Sequence, residues 1–125
     1  MLYVDLHEDF IAIGAKEEIF KYATAIMPIM GYDVFKSGYD VDDFIKHVAE
    51  SAYLNEILDK FTFDSEYCMF CMYYKHPKGK ITDEHIQECI DYVSIINHAI
   101  RNQYMQVIAN LDTNVEIHDI RKNKN

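Results

Sequence analysis

From Thr82 to Leu111 the chain places apolar residues at three- and four-residue spacing, with no proline or glycine to interrupt them: Ile86, Cys89 and Ile90, Val93, Ile96, Ile100, Tyr104, Val107 and Ile108, Leu111. That period marks one face of an α-helix. Thr82 is a suitable N-cap, and Asp83 and Glu84 fall in the first turn, where the helix dipole favours acids. A helix over 82–111 would run about 45 Å. A compact domain of this length has a diameter of only about 35 Å. Either the helix breaks, near Asn97 or Asn102, or its stripe overhangs the domain and meets a second chain. A homodimer through the 82–111 helix is therefore one expectation.

The N-terminus follows the other period. With Glu8-Asp9 as the turn between residues 2–7 and 10–15, Leu2, Val4, Leu6, Ile11, Ile13 and Ala15 fall on one side. Tyr3, Asp5, His7, Phe10, Ala12 and Gly14 fall on the other, as a half-buried antiparallel hairpin requires. Residues 16–30 return to helical spacing through Ile19, Tyr22, Ala23, Ile26 and Met30, with Pro28 and Gly31 as terminators. After a loop at 31–39, Asp40 as N-cap opens a helix over about 41–60, whose apolar side is Phe44, Ile45, Val48, Ala52, Ile57, Leu58 and Phe61. Residues 66–75 are apolar at both alternating positions, the pattern of a strand central to a small sheet. Val115–Ile120 adds a short edge strand.

The fold class is thus α+β: an N-terminal β-hairpin, two medium helices, a central strand, one long C-terminal helix and a terminal edge strand, with a small antiparallel or mixed sheet packed on helices. Residues 1–120 form a single domain, and 121–125 are a basic, frayed tail. Half the residues are hydrophobic, enough for a core that needs no metal or disulfide staple.

Charge narrows the function. Twenty-one acids face twelve cations, a net charge of −9. With Arg121, Lys122 and Lys124 of the tail set aside, nine cations remain and the body carries −12. Phosphate recognition needs Lys and Arg, so direct nucleic-acid binding is excluded as an expectation, and an anionic membrane surface would repel the chain. The complement of such a surface is a basic protein partner. Seven acids sit at expected helix starts, where they cap or favour the dipole: Glu17, Glu18, Asp40, Asp42, Asp43, Asp83 and Glu84. Asp5, Glu8, Asp9, Glu50, Glu56, Asp59, Asp64, Glu66, Glu88 and Asp91 have no such role and are the candidate partner-binding residues. Ten tyrosines are more than a core can absorb, and tyrosine suits an interface.

Catalytic motifs are not recognisable. The four serines (37, 51, 65 and 94) lie in no nucleophile-elbow context, and four scattered glycines make no phosphate-cradling loop. Cys68-x2-Cys71 followed by His85-x3-Cys89 approaches a zinc-finger spacing, and zinc takes four such ligands tetrahedrally. Strand alternation, however, points Cys68 and Cys71 to opposite faces. Three cysteines without an export signal suit free thiols in a reducing, cytoplasmic setting. The leading expectation is a non-enzymatic acidic inhibitor or binding protein, without cofactor. It would cover a basic surface, such as that of a nuclease or a defence or toxin protein, by mimicking nucleic acid. A zinc-stabilised module on Cys68, Cys71, His85 and Cys89, and a small enzyme with a composite site, are the alternatives.

Overall fold

The hairpin forms in the register that its alternation predicts. Strands β1 (Leu2–Leu6) and β2 (Ile11–Ala15) pair antiparallel with Leu2 opposite Ala15, Val4 opposite Ile13 and Leu6 opposite Ile11. Glu8 and Asp9 are the two turn residues, closed by the His7 N–H donating to the Phe10 carbonyl at 3.0 Å. The computed structural model describes residues 1–33, 37–76, 79–104 and 112–123.

Four helices follow or separate the remaining strands: α1 (Glu17–Ile26), α2 (Gly38–Ser51), the single turn α3 (Asn55–Leu58) and α4 (Asp83–Gln103). With β3 (Phe61–Phe63), β4 (Met72–Tyr74) and β5 (Ile117–Asp119) the sheet has five strands in the order β3-β4-β2-β1-β5. Every neighbouring pair is antiparallel except β1 with β5. Ile19, Ala23 and Met27, Val41, Phe44, Ile45 and Val48, and Cys89, Val93, Ile96 and Ile100 bury one face of the sheet. That face carries Leu2, Val4, Leu6, Ile11, Ile13, Phe61, Met72 and Tyr74. The molecule is a two-layer α+β domain whose mixed sheet is covered on one side only among the described residues.

Four expectations need correction. Helix α2 begins at Gly38 rather than near 41, with Ser37 as N-cap. The Asp40 carboxylate, three residues into the helix, accepts from the Ser37 backbone N–H at 2.6 Å and its hydroxyl at 3.2 Å. The helix ends at Ser51, because Tyr53 takes the left-handed conformation (φ 59°) where glycine is usual. The Leu54 N–H then reaches the Ala49 carbonyl at 2.7 Å and the Tyr53 N–H the Glu50 carbonyl at 3.2 Å, the double bond of a Schellman cap. Phe61 therefore belongs to a strand, β3, and not to the apolar side of a helix.

Residues 66–75 are not one strand. Glu66 and Met69 exchange backbone hydrogen bonds at 2.8 and 3.2 Å, which puts Tyr67 and Cys68 at the tip of a tight turn. Only Met72–Tyr74 is strand, and the central place in the sheet goes to β2. This turn is clasped to the start of α2. The Gly38 N–H donates to the Tyr67 carbonyl at 2.9 Å, and a Cβ at Gly38 would collide with the carbonyl oxygens of Met69 and Glu66. Ser65 completes the joint: its Oγ accepts from the Cys71 N–H at 3.0 Å and donates to Asp42 Oδ1 at 2.6 Å.

The last helix ends at Gln103, directly after Asn102, with Tyr104 as its C-cap. Val107, Ile108 and Leu111 lie outside the described residues. Thr82 is its N-cap, as expected, and His85 Nδ1 returns the bond by accepting from the Thr82 N–H at 3.2 Å. Asn97 is the polar residue within the stripe. It is fully buried, and its side-chain amide bonds both backbone groups of Leu2. At the other end of the chain Arg121 forks onto Asp119 with two bonds of 3.0 Å, and the last two residues of the expected tail lie outside the described residues.

Candidate functional site on the open face of the sheet

The face away from the helices is built from the alternate residues of all five strands. One row across the sheet reads Thr62, Tyr73, Ala12, Asp5, His118, each opposite the next by strand register. Continuing the same pairings by two residues brings Asp64, Cys71, Gly14, Tyr3 and Glu116 into a second row; the Asp64 N–H bonds the Cys71 carbonyl at 2.9 Å and the Val4 N–H the Glu116 carbonyl at 2.9 Å. The hairpin's second side, legible from sequence, is thus the middle of this face.

Small residues in the central strand let large ones lie flat. A side chain at Gly14 would collide with the Tyr3 ring, so glycine there is what allows Tyr3 to cross onto β2. His7 stacks on Phe10 with ring centres 4.0 Å apart, and Tyr73 meets Phe10 nearly perpendicular at 5.6 Å. His118 tilts against Tyr3 at 5.0 Å while its Nδ1 lies 2.8 Å from Asp5 Oδ1 and its Nε2 3.6 Å from Glu116. Glu116 also pairs with Lys16.

These contacts set the electrostatics. Burial pushes the Cys71 thiol up, only partly offset by its hydrogen bond with Tyr73, and Asp64, Asp5 and Asp42 push it further. The bond to Cys71 raises the Tyr73 hydroxyl, and burial followed by Asp5 raises Tyr3. Lys16 holds the Glu116 carboxylate below its usual range. A thiol raised in this way is a poor nucleophile at neutral pH, whereas carboxylates beside aromatic rings suit the recognition of cations.

The ten candidate acids divide between the two layers. Asp5 and Asp64 stand on the open face, Glu66 lies near Tyr73 across the 66–69 turn, and Glu8 and Asp9 form the hairpin turn beyond Phe10. Glu50, Glu56 and Asp59 are exposed on the helical layer around α2 and α3. Glu88 and Asp91 ride on α4; Glu88 is occupied by the hydroxyls of Tyr74 and Tyr92, and Asp91 by Gln87 at 2.9 Å. Tyr32, Tyr39, Tyr53 and Tyr67 are exposed, so tyrosine does exceed what the core absorbs.

The four zinc candidates do not converge. Cys68 is exposed at the tip of its turn, Cys71 faces the open side of the sheet, and Cys89 is sealed in the core on the other, its thiol pushed up to about 12 by burial. His85 serves as the return half of the α4 cap and packs beside His76, ring centres 5.5 Å apart. No group of three or more His, Cys, Asp or Glu among the described residues is placed to hold a metal.

Cys71, Tyr73, Thr62, Glu116 and His118 belong to the face but were not among the partner-binding candidates, Cys71 having been offered only as a zinc ligand. The apolar run at 66–75 carried a signal for the first two, since a strand apolar at both positions has two faces to cover. No local pattern announces His118 beside Asp5. No protein-family model, no curated protein and no solved structure matches the chain. No helix among the described residues is long and apolar enough to cross a membrane.

Proposed function

We propose that this is a stoichiometric, non-enzymatic binding protein that covers a basic surface of a protein partner with the open face of its sheet. One observation carries the reading: the only broad face without helical cover among the described residues brings Tyr3, Phe10 and Tyr73 into register with Asp5, Asp64 and Glu116. Aromatic rings supply contact area at low entropic cost, and the carboxylates supply complementarity to a cationic partner. The net charge of −9 acts in the same sense by steering encounter. The nucleic-acid groove of a nuclease or a toxin is one surface of that type, with spaced carboxylates standing where phosphates would.

The test is a binding measurement with purified candidate basic proteins, made at low and high salt with Asp64→Lys, Tyr73→Ala and, as a control on the other layer, Glu56→Lys. Affinity should fall steeply with ionic strength and should be lost in the first two variants but not in the third. A partner released by Glu56→Lys and indifferent to Asp64 and Tyr73 would place the interface on the helices and refute this reading.

A further inference from the structure

We propose that His118 is a proton-controlled switch on the open face: uncharged, it leaves the negative charge of Asp5 and Glu116 to a cationic partner, and protonated, it answers that charge from within the molecule. The inference rests on the binding role proposed above and adds its regulation. Both ring nitrogens of His118 face a carboxylate, Nδ1 at 2.8 Å from Asp5 Oδ1 and Nε2 at 3.6 Å from Glu116 Oε1. A carboxylate only accepts, so the proton of the uncharged ring sits on Nδ1. Nε2 then presents a bare lone pair to Glu116, and 3.6 Å lies beyond hydrogen-bond reach. The uncharged ring therefore serves one acid. The protonated ring gains a second N–H, turned to Glu116, and a full positive charge between the two acids. The side chains of His118 and Glu116 are 45% and 47% exposed and that of Asp5 27%, so both a proton and a partner have access.

The groups that face the ring are few. β1 contributes Asp5 and Tyr3, whose ring centre lies 5.0 Å away. Glu116 stands two residues back along the chain, and Lys16, just past β2, pairs with it. Asp119, next along β5, is bound by Arg121. β5 is an edge of the sheet, so no described strand lies beyond it. With Lys16 engaged, this cluster carries one net negative charge beside an uncharged imidazole and none beside a protonated one. Histidine is the side chain that ordinarily changes charge between pH 5 and 8, whereas arginine in a partner keeps its charge throughout. For a partner cation roughly 6 Å from the ring in a largely aqueous setting, that added charge is worth about fivefold in affinity.

Fluorescently labelled nona-arginine serves as the probe in low-salt anisotropy titrations of the intact protein from about pH 8 to about pH 5.5. Wild-type affinity should fall as the pH drops. About fivefold of that fall should be absent from His118→Gln, which keeps a donor for Asp5 and does not charge. His118→Lys, fixed in the charged state, should bind about fivefold more weakly than the wild type at the upper end of the range. His7→Gln, which removes the imidazole stacked on Phe10, should keep the part of the fall that His118→Gln removes. Coupling is reciprocal, so saturating peptide should move the NMR titration of the wild-type His118 ring down by about 0.7 pH unit. Thermal melts identify any variant that fails to fold, and the NMR titration of the wild type then decides. A fall retained in full by His118→Gln, or a His118 titration that the peptide leaves unmoved, overturns the switch; loss of peptide binding in Asp64→Lys would in that case leave the binding face standing. If nona-arginine binds the wild type at no pH, the face and the switch fall together.

Discussion

Replacing Asn97 with leucine should cost about 3–5 kcal/mol, a large part of the ~6–15 kcal/mol that holds a domain of this size together. The side chain of Asn97 is fully buried, and its Oδ1 accepts from the Leu2 N–H at 3.0 Å. Its Nδ2 donates to the Leu2 carbonyl at 3.2 Å and to the Thr113 carbonyl at 3.4 Å. The two Leu2 groups point to the β5 side of β1, but the β1–β5 pairing only reaches Val4. The amide of Asn97 thus stands in for the missing strand. Leucine keeps the branched heavy-atom skeleton and is larger, so the substitution leaves no cavity and its cost is that of the lost hydrogen bonds with some overpacking. It orphans two groups on Leu2 and one on Thr113, all in buried residues, at about 1–3 kcal/mol each, with the longest bond contributing least. Thermal and urea unfolding should show a melting temperature lower by roughly 12–20 °C with little change in the urea m-value. A stability within about 1 kcal/mol of wild type would refute the claim that this amide completes the sheet. Asn97→Asp keeps the acceptor but sets a carboxylate against two carbonyl oxygens. It should be worse at neutral pH and recover as the pH falls, because burial raises the carboxyl pKa in the folded state and protonation there favours folding.

Gly38→Ala should destabilise by about 3 kcal/mol or more, since the new methyl meets two backbone carbonyl oxygens that cannot rotate away; a change below about 1 kcal/mol in urea unfolding would contradict that close approach. Of the three thiols, only Cys68 should react with a thiol reagent in the native protein, Cys71 and Cys89 becoming available on unfolding; mass spectrometry of the native adduct distinguishes one addition from two or three. Burial raises the carboxyl of Asp42, against the opposing pull of Ser65 and Lys46, so this group favours the folded state below its unfolded pKa and loses that contribution as the pH rises through the folded value. Asp42→Asn keeps the acceptor for Ser65 and should therefore gain on the wild type between acid and neutral pH; unfolding across pH 3.5–7 checks the sign.

Local pattern was sufficient wherever one element carries its own period. Alternation over residues 2–15 yields the register of β1 with β2 pair by pair, because a slip of one residue would turn the three aliphatic side chains of one strand into water. The cap at Thr82 and the polar interruption at Asn97 are equally visible. Ser37-x-x-Asp40 is a capping box written plainly in the sequence, but the intervening Gly38 reads as a breaker until the 66–69 turn is seen pressing against it. Phe61–Phe63 is too short to show a period, and its assignment depends on Tyr53 ending the helix before it, a conformation that tyrosine adopts only when the neighbouring caps demand it.

The chain alone determines an acidic α+β domain with a two-sided hairpin and a capped last helix, because those follow from residue spacing and charge within short windows. Only the tertiary structure decides which face of the sheet stays open and what stands on it. His118 reaches Asp5 across 113 positions of sequence through a parallel pairing of three residues, and Tyr73 reaches Phe10 through β4. Contacts of that range are selected by the packing of whole layers, in which the helices bury one side of the strands and, among the described residues, leave the other uncovered. The acidity is a property of the chain; its alignment with aromatic rings on one face is a property of the fold.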